Sequence, residues 1–244
     1  MLHSRIVSLA IALAAVALAV ASTAHAAVKK GVGDTFWIAP DIAKYPATTI
    51  AMLPPATYDG NIEARNLVES AVGQALKGSG HRWVSPFLVR DYLSKAGGDS
   101  LTKALRDKLL KNPRLDSLDA PFVSHALRAR AVLTVRVDEM ERRELEAGQS
   151  GRPTTTVQLH AALVDSTGRL LWTASSNETL EGEQQDANAN VIGVKASGLN
   201  TQGVGNTTTA PPYQEVLLKI CQRWVEPFPK PAPPAPPDSS GAGK

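Results

Sequence analysis

The stretch "TVQLHAALVDSTGRLLW", residues 156 to 172, constrains the fold more tightly than any other part of the chain. Val157, Leu159, Ala161 and Leu163 alternate with Gln158, His160 and Ala162, which is the period of a half-buried strand. Asp165 then opens a turn, and Gly168 supplies the left-handed residue of a three-residue hairpin loop before a second strand begins. In that register Leu163 is expected opposite Leu171, and Ala162 opposite Trp172. A slip of one residue would turn the apolar face to solvent, so the order in this segment specifies strand register. None of it is spent on a reactive group.

Upstream, "ATTIAML" (47–53) is a β-branched and apolar run ended by Pro54-Pro55, which predicts a buried strand and a forced turn. A helix follows, capped by Asp59 or Asn61. Its stripe is Ala64, Leu67, Val68, Ala71, Val72, Ala75 and Leu76, and it stops at Gly78 and Gly80. "HRWV" (81–84) is a second short strand. Pro86 opens another helix, which breaks at Gly97-Gly98.

Residues 100–111, "SLTKALRDKLLK", set Leu101, Ala104, Leu105 and Leu109 against Lys103, Arg106 and Lys111. That is the pattern of an ordinary surface helix, with contact to an anionic membrane surface as the subordinate reading. A further helix is expected from Asp119 to Arg128, and "AVLTVRV" (131–137) is a strand. The charged piece "DEMERRELEAGQSGRP" is expected to be a solvated hairpin tip, since carboxylates crowded beside Arg142 and Arg143 lack the burial that separates acid from base. Tyr213, Val216, Leu217, Ile220, Cys221 and Trp224 share one helical face, which makes the single cysteine a core residue.

The amino terminus supplies an address. His3 and Arg5 precede an apolar run from Ile6 to Ala21, and Ala24-His25-Ala26 has the form of a cleavage site. The run is too short to span a bilayer comfortably, and no later run approaches it. The expectation is a signal peptide over 1–26 and a secreted, periplasmic chain beginning at Ala27, with no transmembrane helix. Loss of Arg5 lowers the formal charge from +3 to +2, too little to argue for nucleic acid, and aromatic residues to stack bases are few.

The remaining organisation is a lead segment (27–46), one α/β domain (47–226) and a proline-rich tail (227–244) that cannot pack a core. The domain is interrupted at 186–212 by a Gly-, Asn- and Thr-rich insertion, and a long loop of this kind is commonly functional or disordered.

No catalytic set emerges. Ser100-Leu101-Thr102-Lys103 matches Ser-x-x-Lys, but the Lys-Thr-Gly companion is absent and Ser100 is better explained as a helix cap. Neither Gly-x-Ser-x-Gly nor a phosphate-binding Gly-x-x-x-x-Gly-Lys occurs, and His81, His125 and His160 lack metal-ligand spacing. No cofactor and no metal is expected.

"TIAMLPP", a capped helix ending "ALKGSGHRWV", a helix leading into "ALRARAVLTVRV" and then "VQLHAALVDSTGRLLWTAS" occur in that order. The series resembles a group of bacterial envelope domains that takes in the TolB amino-terminal domain, the curli-secretion (CsgG-like) lipoproteins and related lipoproteins of unknown function. The resemblance covers roughly residues 47–180 and the last helix. It implies an α/β domain working by protein contacts, sometimes in oligomeric rings, and it brings no catalytic residues. The lipid-bearing cysteine of that group is missing, and Arg128-Ala129-Arg130 stands where a Gly-Ala-Asp-like turn is usual.

The expectation is therefore a mixed sheet of about five strands with flanking helices, in a non-enzymatic envelope protein that binds other envelope proteins or itself. The candidate contact surface is Trp172 and Trp83 with Val191, Ile192, Val194 and Leu199 of the insertion. The alternative is a soluble accessory of an envelope transporter that binds a small molecule or lipid.

Overall fold

The computed structural model describes residues 33–58, 60–146, 149–185 and 209–231. The leader, most of the insertion and the tail from 232 onward lie outside the described residues.

A seven-stranded mixed sheet organises the protein. Its strands are β1 (Thr35–Ile38), β2 (Thr49–Met52), β3 (Ala56–Thr57), β4 (Arg82–Val84), β5 (Ala131–Arg143), β6 (Thr154–Asp165) and β7 (Leu170–Glu181). The order is β1-β7-β6-β5-β2-β4, with β3 added beside β5. β1, β7, β6 and β5 run antiparallel to their neighbours, whereas β2, β3 and β4 join in parallel. Among the described residues four α-helices accompany the sheet: α1 (Ile62–Leu76), α2 (Pro86–Lys111), α3 (Asp119–Ala126) and α4 (Tyr213–Val225).

The architecture is the α/β one expected, with two strands more than the periodicity showed. β1 lies in the lead segment, so the sheet begins before residue 47. The end of the domain also runs further, since Phe228 is buried in the core and the Pro229 carbonyl contacts the ring of buried His81.

The hairpin fixes the rest. Gly168 has φ +85°, its N–H donates to the Asp165 carbonyl at 3.1 Å, and the Asp165 carboxylate accepts the N–H groups of Thr167 and Arg169. This is the expected three-residue loop. A side chain on Gly168 would meet the Ser117 backbone at 2.6 Å, so glycine is required twice over.

The register differs from expectation by one residue. Val164 pairs with Leu170, but Leu163 pairs with Trp172 and Ala162 with Thr173, because Leu171 is an extra residue in a β-bulge. The bulge turns consecutive residues Leu171 and Trp172 into the same core layer, and both are fully buried. Strict alternation would have placed one of them on the opposite face.

Helices cover the sheet unequally. On one face α1 contributes Val68, Val72 and Leu76 and α4 contributes Val216, Ile220, Cys221 and Trp224 to a core with Leu133, Leu159, Leu163 and Trp172. The Asn61 side chain caps α1 by accepting from the Ala64 N–H at 3.0 Å. On the other face Val89, Leu93, Leu105 and Leu109 of α2 and Val123 of α3 pack on Ala51, Val132 and Val164. The apolar side of residues 100–111 is thus occupied by the core rather than offered to a membrane. Gly98 (φ 63°, ψ −154°) interrupts α2 where the glycine pair predicted a break.

Arg128 has φ 52°, and the Arg128 and Ala129 N–H groups bond back to the His125 and Ser124 carbonyls, closing α3 in a Schellman turn. The left-handed position that usually takes glycine is here an arginine, whose guanidinium lies 5.5 Å from the Tyr92 ring centre.

Candidate functional site

Two of the sequence-proposed contact residues are structural. Trp172 is completely buried and meets Trp224 edge-on at 5.9 Å and Phe228 at 5.1 Å. Trp83 is half-buried, stacked on Phe228 at 6.1 Å and packed against the same core. Neither forms an exposed apolar patch. The bulge at Leu171 turns Trp172 inward, and the carboxyl-terminal segment folds back over Trp83. Val191, Ile192, Val194 and Leu199 lie outside the described residues.

The candidate surface lies instead at the other edge of the sheet. β1 is the last strand beyond β7, and among the described residues nothing pairs with its outer side. The Ala39 N–H donates to the Leu171 carbonyl at 2.9 Å. In an antiparallel ladder alternate residues turn their backbone groups the other way, so Phe36 and Ile38 direct theirs away from the sheet. Trp37 and Ile38 are 44% and 43% exposed beside these free groups. Other exposed apolar residues, such as Phe122 on α3 and Leu118 just before it, lie at a helix rather than at a sheet edge, and the Leu118 N–H donates to Asp116.

β1 is held firmly at its start. Asp34 is buried and ion-paired to Arg223 of α4, with its Oδ2 2.5 Å from Nε. Arg223 also binds Glu178 at 2.8 Å, and Glu178 in turn binds Lys219 at 2.5 Å. Burial lowers the affinity of Arg223 for its proton, but the two carboxylates outweigh it and hold the guanidinium pKa above its ordinary value. The edge is therefore a fixed strand rather than a loose end.

Trp37 continues onto a polar sheet face that α2 and α3 leave uncovered. Here Arg136, Asp138, His160 and Ser175 lie side by side. Arg136 Nε is 2.5 Å from Asp138 Oδ1, and the other Asp138 oxygen contacts His160 Nδ1. β5 continues through Arg143, so the first part of the charged piece expected at a hairpin tip is strand. Asp138 is the residue at the β5 bulge.

Ser175 sits directly across from His160 in register. No hydrogen bond joins their side chains, and the neighbouring backbone amides are committed to strand ladders. Among the described residues no group of three or more His, Cys, Asp or Glu is placed to hold a metal ion. Cys221 is buried, and burial pushes its thiol up to about 12. No helix of the described residues is long and apolar enough to cross a membrane.

The signal for β1 was present in the sequence. "TFWI" is an aromatic and β-branched run set between Gly33-Asp34 and Ala39-Pro40, but its four residues are too few for alternation to show.

No protein-family model matches the sequence, and no curated protein does. Similar solved structures include lipoprotein GNA1162 from Neisseria meningitidis (18% identity, TM-score 0.39, covering 55% of this chain and 83% of that one). Another is the PelC dodecamer from Paraburkholderia phytofirmans (15%, 0.36, 78% and 96%). A third is the LpoB carboxyl-terminal domain from Salmonella enterica (12%, 0.33, 55% and 83%). Bacterial lipoproteins are thus among the structures it is similar to. The likeness is loose at these values and assigns no function.

Proposed function

We propose that this chain is a non-enzymatic, periplasmic component of the bacterial cell envelope that works by protein contact, with β1 as the edge to which a partner strand or a second copy is added. The signal-like leader supports the location, and kinship with the TolB amino-terminal and curli-secretion group belongs to the same reading. The observation that carries it is the anchored edge strand with Trp37 and Ile38 exposed beside backbone groups that no described residue pairs. The strand is short, at four residues, but it carries no charged side chain and none of the described residues covers its outer side. Main-chain bonds would supply affinity and the two apolar side chains specificity.

Site-specific photocrosslinking in intact envelopes tests this. A crosslinker at position 38 is expected to give a discrete adduct, whether with self or another protein, that disappears when Trp37→Lys is added. The same crosslinker at Lys95, on an exposed part of α2, is expected to give none. Equal adducts from both positions, or none from position 38, would overturn the assignment.

A further inference from the structure

A second site lies on the far side of the sheet, where the chain path itself creates a crevice. β2 leads through α1 on one face to β4, and β4 leads through α2 on the opposite face to β5. Connections that leave adjacent parallel strands on opposite faces part above their carboxyl ends, which is where open α/β sheets bind ligands. Pro54 and Pro55 carry the backbone away from the end of β2 without donating a hydrogen bond, and the Gly98 break bends α2 around the opening.

The crevice holds a cavity of about 230 Å³ lined by Leu53, Leu93, Leu105 and Leu109, adjoining a second of about 380 Å³ between α1 and α2. The smaller one has room for a short chain of groups the size of a water molecule, at about 30 Å³ each.

Cations gather at its mouth. Arg65 Nη2 donates to the Gly60 carbonyl at 3.3 Å, and Arg106 Nη1 lies 3.6 Å from where a Gly60 side chain would begin. Two guanidiniums therefore converge on one backbone position. Arg65 Nε is buried and has no hydrogen-bond partner among the described residues. Lys103 lines the same cavity, and among the described residues Asp99 is the single carboxylate in its wall, forming an ion pair with none of the three. Arg106 forms an ion pair with its exposed neighbour Asp107 at 3.1 Å. A buried guanidinium nitrogen without an acceptor is costly, and an incoming anion would satisfy it.

We infer that this crevice binds an anionic amphiphile, its carboxylate or phosphate head on Arg65 and Arg106 and its acyl chain entering the cavity at the edge of the core formed by Leu53, Leu93, Leu105 and Leu109. The site stands apart from β1, which lies at the opposite edge of the sheet, so the two assignments succeed or fail separately.

Titration calorimetry on the chain from Ala27, at low ionic strength, uses octanoate as the probe, octyl glucoside as the uncharged chain and inorganic phosphate as the chainless anion. Octanoate is expected to bind about tenfold more tightly than either control. Arg65→Gln and Arg106→Gln are each expected to weaken it by about tenfold, as loss of a charge-assisted bond does, while Arg152→Gln on the distant hairpin leaves it unchanged. Arg106 is exposed enough for its variant to keep the thermal midpoint even if Arg65→Gln does not. Co-sedimentation with phosphatidylglycerol vesicles that is lost in Arg106→Gln identifies a membrane lipid as the source of the head group. Octanoate binding without co-sedimentation identifies a free amphiphile. No binding of either probe, equal binding of octanoate and a control, or unchanged binding in a folded Arg106→Gln variant would overturn the inference.

Discussion

The two faces of the sheet are built on opposite terms. Beneath α1 and α4, β5, β6 and β7 meet a continuous apolar layer whose largest members are Trp172 and Trp224, with Trp224 Nε1 satisfied by Ser176 at 2.9 Å. On the reverse, the helices end over β5 and the first turn-side residues of β6, and the remaining strands show Thr156, His160, Ser175 and Thr179 to solvent, with Trp37 at the margin. The same strands thus close one side completely and leave the other open toward a free edge. Strand length and pairing serve both sides equally, so the difference lies in which residues alternate and in where the chain can return a helix.

Substitutions on the two faces should separate sharply. Trp172→Ala is expected to cost about 3–5 kcal/mol by urea denaturation, the range for removing a buried aromatic side chain. Asn177→Ala on the open face should stay within about 0.5 kcal/mol. Similar losses at both would erase the distinction.

The hairpin that sets both faces in register is the next point to break. Gly168→Ala places a methyl group against the Ser117 backbone and strains a left-handed φ, and should cost on the order of 2 kcal/mol in the same measurement. An unchanged midpoint would mean that residues 116–118 can move aside.

Cys221 reports how well the covered face is sealed. Its folded thiol ionises only near 12, whereas the unfolded thiol ionises near 9.0. The unfolded state therefore loses its proton first, and stability should fall as pH rises from about 9 toward 12. Cys221→Ala should flatten that alkaline slope, and a thiol reagent at neutral pH should label the native protein only as it unfolds. Rapid native labelling would contradict the packing.

The smallest effect belongs to the reverse side. Asp116 accepts the Asp119 and Leu118 N–H groups ahead of α3, the Asp119 bond chiefly holding its pKa below the ordinary carboxylate value. Its contribution is present above that ordinary value and disappears as pH falls through the lowered one. Asp116→Asn should remove this shallow acid dependence, read from amide exchange at Leu118 and Asp119. Persistence of the slope would place its origin elsewhere.

Much of this was legible in the sequence, for identifiable reasons. The α1 stripe, the Gly98 break, the Gly168 loop and the burial of Cys221 each follow from local spacing or backbone chemistry. The Leu171 bulge was hidden, because two consecutive apolar residues after a turn fit either register equally well. Trp172 was misplaced on the surface for the same reason. β1 escaped because four residues carry too little pattern, and the convergence of Arg65 and Arg106 on Gly60 joins residues far apart on two polar helix surfaces.

Amide hydrogen exchange on the chain alone, compared with the complex captured through position 38, tests the account most directly. Added protection at Phe36 and Ile38, with no change along α4, is the predicted result. Unchanged exchange in β1, or protection confined to the helices, would contradict the assignment of this edge as the surface through which the protein acts.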